Sequence, residues 1–95
     1  MTNNIVLPAS VNISTSVLFQ NMGDEYVLLN METESYFGLD EVAARFWQLF
    51  SEGSAISSAV DQILSEYDID RETVEKDLNL LLEKLESNQL LTIVK

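Results

Sequence analysis

The chain has 95 residues, with sixteen acids against five bases, a formal net charge of −11, and neither histidine nor cysteine. That length makes one small domain with one core. The absent His and Cys remove the usual general bases, nucleophiles, soft metal ligands and any disulfide frame, and the acidic excess repels nucleic acid and anionic lipid while favouring basic partners.

Residues 1 to about 14 read as a weakly ordered segment. Asn, Ser and Thr are frequent there, Pro8 interrupts, and only Ile5, Val6, Leu7 and Val11 offer apolar anchors. The start of the chain has neither a charged n-region nor a long apolar core, and no window approaches the roughly 18 apolar residues of a membrane span, so the expected location is the cytoplasm.

Thr15 to Gln20 predicts a first strand, and Asn21-Met22-Gly23-Asp24 has the residue types of a hairpin turn. Glu25 to Met31 is the strongest strand signal, with Val27, Leu29 and Met31 on one face and Tyr26 and Leu28 on the other. Glu32-Thr33 turns the chain into a third short strand, Ser35-Tyr36-Phe37-Gly38. These three form an antiparallel meander.

From Asp40 the apolar period changes from two to 3.6. Asp40 is a natural N-cap, Val42, Ala43, Phe46, Trp47, Leu49 and Phe50 make a broad apolar face, and Gly53 closes the helix. A second helix begins at Ser54 or Ser57, with Ile56, Ala59, Val60, Ile63 and Leu64 at amphipathic spacing. Asp68-Ile69-Asp70 connects to a third helix reaching about Ser87. Its core stripe is Val74, Leu78, Leu81 and Leu85, with Leu80 and Leu82 on opposite flanks. Leu90 to Val94 can pack back as a short final strand. The predicted fold is therefore α+β, a three-stranded antiparallel sheet followed by a three-helix bundle with winged helix-turn-helix proportions.

Catalytic motifs are missing: no serine sits in a Gly-x-Ser-x-Gly elbow, and Asp68-Ile69-Asp70 lacks the rest of a calcium loop. The expectation is no enzyme, no catalytic residue, no metal and no cofactor. A winged-helix DNA-binding regulator is the alternative that the helical half suggests. Its third helix, however, sets Arg71, Lys76 and Lys84 against Glu72, Glu75, Asp77, Glu83 and Glu86, so phosphate repulsion should win. Recognition of a polypeptide remains. The third strand has no Lys or Pro to blunt an edge, so a partner strand can add there, with pockets towards the third helix reading its side chains. Phe37 alternatively fills the core, whereas Tyr36, on the opposite pleat, is a candidate exposed platform.

Leu28-Leu29-Asn30, Thr33, Tyr36-Phe37-Gly38-Leu39-Asp40-Glu41-Val42 and Phe46-Trp47-Gln48-Leu49 together resemble the PqqD-like family, most of all its stand-alone members in lasso-peptide biosynthesis. Ile56, Val60 to Tyr67, Val74 to Leu78, Leu81 to Leu85 and Leu90-Leu91 extend the resemblance over about residues 15 to 92. It implies a single peptide-recognition domain over 15–95. It also implies a non-catalytic RiPP recognition element that binds the leader peptide of a ribosomal precursor by β-strand addition. The element then presents the precursor to a leader peptidase or other tailoring enzyme. PQQ and other RiPP pathways use the same element as peptide chaperones. Carried onto this chain, the resemblance gives Glu34, Ser35, Tyr36, Phe37 and Gly38 as the receiving edge. Thr73, Val74, Asp77, Leu80, Leu81 and Lys84 would line the groove, with Asp77 as the polar contact. Core packing is the alternative for Val74 and Leu81, and plain solvation for Lys84. The family often has glycine where this chain has Glu34 and Ala43. The expected partners are thus a leader peptide and a tailoring enzyme, with no nucleic acid and no membrane, the protein itself being a monomer or weak homodimer.

Overall fold

The computed structural model describes residues 7–94. Its elements in chain order are β1 (Ser10–Ile13), β2 (Val17–Asn21), β3 (Tyr26–Asn30), β4 (Ser35–Leu39), α1 (Glu41–Ser51), α2 (Ile56–Glu66), α3 (Arg71–Ser87) and β5 (Leu91–Val94). Strands β2, β3 and β4 form an antiparallel meander, and β1 pairs with β5 in a separate two-stranded ribbon. The fold is α+β, as the change of period at Asp40 implies.

The meander alternates as strands must. Phe19, Leu28 and Phe37 form one cross-strand row, and Leu18, Leu29 and Tyr36 the next, on the opposite face. Leu28 is completely buried and Tyr36 is 73% exposed, which makes the Leu28 face the inner one. Gly23 carries the β2–β3 turn with φ +87, while the Asn21 Oδ1 accepts from its amide at 3.1 Å.

Asp40 caps α1, its carboxylate accepting from the Ala43 amide at 2.8 Å. Ala44, Phe46, Trp47, Leu49 and Phe50 are the residues α1 buries; Val42 and Ala43, predicted for the same face, are only half-buried. They meet Ile56, Ala59, Val60 and Ile63 of α2, and Val74, Leu78, Leu82 and Leu85 of α3. Each buried Val, Leu, Ile or Phe among them contributes roughly 1.5–3 kcal/mol of transfer free energy. In α3 the third core position is Leu82 and not Leu81, which is half-buried.

One correction concerns the N-terminal segment, expected to be weakly ordered over 1–14. Ser10–Ile13 is a strand in register with Leu91–Val94, because β5 supplies the ladder that the local sequence cannot. Ala9 then offers its carbonyl to the Ile56 amide at 3.0 Å. That bond explains why α2 begins after Ala55 with no side-chain cap, although Ser54 and Ser57 stand on either side: a backbone carbonyl satisfies a free first-turn donor. Residues 1–6, with Ile5 and Val6, lie outside the described residues.

Candidate functional site

In the order β2-β3-β4, β4 is an outer strand, paired on one side with β3 and with no described strand on the other. Its free side carries unsatisfied backbone donors and acceptors. The chain runs from β4 through Asp40 directly into α1, and α3 closes the far side. Between them lies a groove of about 360 Å³. Phe37, Gly38, Leu39 and Asp40 line it from the strand end, Val42, Ala43 and Phe46 from α1, and Asp77, Leu78, Leu80, Leu81 and Lys84 from α3.

The composition of this lining is informative. Its floor is apolar, and Leu80, 55% exposed, stands at the rim. Asp77 and Lys84 are both exposed, and neither forms an ion pair among the described residues. Two helical turns separate them along α3, roughly 10 Å at 1.5 Å per residue. The groove therefore offers an apolar slot between a free anion and a free cation. Asp40 is partly committed, since one oxygen already caps α1.

Of the residues expected at the site, Phe37, Gly38, Asp77, Leu80, Leu81 and Lys84 come together around this groove. Ser35 and Tyr36 lie on the same outer strand without lining it, and Glu34 precedes that strand. Val74 is 2% exposed and belongs to the core, the alternative reading for that position. Thr73 is engaged at the start of α3, donating its hydroxyl to Asp70 Oδ1 at 2.9 Å and its amide to Oδ2 at 3.2 Å. These bonds, the hydroxyl first, hold the Asp70 carboxyl below its usual range. Sequence reasoning missed Leu39, Val42, Ala43, Phe46 and Leu78 as lining. For Val42, Ala43 and Phe46 the signal was present in the breadth of the α1 apolar face, wider than one packing contact needs.

Asn30 fixes the approach to β4. It is 2% exposed, and its Oδ1 accepts from the Glu32 and Thr33 amides at 3.0 and 3.3 Å, while its Nδ2 donates to the Gln89 carbonyl at 3.1 Å. One side chain thus ties the β3–β4 turn to the segment that follows α3.

The family described as Coenzyme PQQ synthesis protein D (PqqD) matches residues 25–91, from the start of the second hairpin strand to β5. The chain belongs to the PqqD family. Two solved structures share its fold. One is TbiB1 in complex with the TbiA(beta) leader peptide, 45% identical, covering 84% of this chain and 93% of that one, with a TM-score of 0.77. The other is lasso peptide synthetase B1 complexed with the leader peptide, 23% identical, covering 87% of this chain and 98% of that one, also with a TM-score of 0.77. No curated protein sequence matches the chain. No helix among the described residues of this PqqD-family protein is long and apolar enough to cross a membrane.

Proposed function

We propose that this PqqD-family chain is a non-catalytic RiPP recognition element of lasso-peptide biosynthesis. It binds the leader of a ribosomal precursor in the cytoplasm and presents the precursor to a leader peptidase. The observation that carries this reading is the open edge of β4 running beside a groove whose other wall is α3. An added leader strand takes register from backbone bonds to Ser35–Leu39, and every second side chain drops towards the apolar floor. Asp77 holds a cationic or donor group of the leader and Lys84 an anionic one. Similarity to the leader-bound TbiB1 supports the assignment.

The basic side chains argue against the DNA-binding alternative. Arg45 is engaged with Glu66, and Arg71 with Asp61 and Glu75, leaving few cations free for phosphates.

The test is a titration of the protein into a fluorescent leader peptide of the cognate precursor at low and high salt, with labelled duplex DNA alongside. Saturable leader binding that survives salt and an absent DNA signal are expected. Asp77→Lys and Leu80→Glu, both at exposed positions, should each weaken leader binding about tenfold or more with unchanged melting. Wild-type affinity in both folded variants would show that the groove is not the leader site.

A further inference from the structure

Leu18, Leu29 and Tyr36 are direct cross-strand partners on the outer face of the meander. They form an apolar row across its whole width, from β2 to β4. Leu18 is 44% exposed, and Tyr36 stands out furthest. The adjacent row is Gln20, Val27 and Gly38, and a side chain added at Gly38 would meet nothing within 4 Å. A ridge therefore lies beside a recess, on a face turned away from the core. The charge around it is of one sign: residues 7–44 hold no Lys or Arg, and their charged residues are Asp24, Glu25, Glu32, Glu34, Asp40 and Glu41.

The geometry points to this outer sheet face as the docking surface for the processing enzyme, through an enzyme surface apolar at its centre and ringed by Lys and Arg. The inference rests on the leader-binding reading above. Two features select that occupant. A second copy of the chain would press one carboxylate rim against another, at −11 charge per copy, whereas a basic rim is attracted and steered. The face is also continuous with the leader site, because β4 supplies both Tyr36 to the row and the free edge to the leader. A leader strand added to β4 widens this same face, so an enzyme seated there touches leader and sheet together.

Leu18 lies on β2, at the sheet edge opposite β4, and its substitution separates leader binding from enzyme docking. Leu18→Lys and Leu18→Glu are compared with wild type for leader affinity, for affinity of the leader–protein complex towards the cognate leader peptidase, and for precursor cleavage at limiting peptidase. Leu18→Ser, which only removes the apolar side chain, serves if a charge there unfolds the sheet. The expected result is unchanged leader binding, with peptidase affinity lowered about tenfold or more by Leu18→Lys, less by Leu18→Glu, and cleavage falling in step. Unchanged peptidase affinity with leader binding intact overturns the docking face. So does a dimer in light scattering that Leu18→Lys dissociates, since the face would then belong to a second copy. Failure of the wild type to bind leader refutes the function reading instead, and it shows in the first titration.

Discussion

Glu34 leads into β4 with φ 59, in the left-handed region that glycine occupies freely. Its amide donates to the Asn30 carbonyl at 2.7 Å, so the turn holds that geometry despite the side chain. A non-glycine residue there costs about 1–2 kcal/mol. Glu34→Gly should therefore raise unfolding stability by about 1 kcal/mol, read from the urea midpoint at unchanged m-value. Where the family often has glycine, the glycine-like backbone thus remains at Glu34, under strain. Asn30 shows the limit of reading residues singly. Its place in Leu28-Leu29-Asn30 was visible as part of a family pattern, but its bond to the Gln89 carbonyl spans most of the chain. Nothing local to a strand announces a partner at the far end of a helix.

Helices were legible in kind and placement because their apolar period is strong, yet the assignment of faces slipped where a helix is apolar over too wide an arc. Leu81 and Leu82 are adjacent leucines in α3, and only packing against β5 and α2 decides that Leu82 enters the core while Leu81 turns to the groove. Val42 and Ala43 in α1 are the same case. The N-terminal strand was illegible for a different reason: Ser10–Ile13 has little strand character of its own and depends on β5. Between α1 and α2, Arg45 reaches Glu66 with two charge-assisted bonds of 2.8 Å. The Arg45 hydrogen bond, followed by that of Gln62, brings the Glu66 carboxyl down to about 2. Unfolded, that carboxyl titrates near its ordinary value of 4.5. Its contribution is therefore complete above about pH 4.5 and fades as pH falls towards 2, because the unfolded state then binds more protons. Glu66→Gln should flatten this part of the stability–pH curve, measured by thermal melts between pH 2 and 6, with little change at pH 7 in the slope of stability against pH.

At the scale of the molecule, the groove proposed for the leader exists only in the folded chain, because β4 and α3 are far apart in sequence. A ligand bound there must stabilise the native state by mass action. With free leader at about a hundred times its Kd, the gain is about 2.7 kcal/mol, and a rise in melting temperature should follow the leader concentration. Asp77→Lys, binding about tenfold more weakly, should cut the gain at the same leader concentration to about 1.4 kcal/mol while leaving the ligand-free melt in place. The meander, the bundle and their order were all readable in the sequence; the groove was readable only as two separate stretches, since their juxtaposition is a tertiary fact. The β1–β5 ribbon has a consequence of another kind. Ser10 and Val94 are paired residues, so the chain arrives and leaves at one spot, and neither strand lines the groove. A host protein could carry residues 10–94 on a single surface loop, closed at its neck by the ribbon, with the binding cleft left clear of both connections.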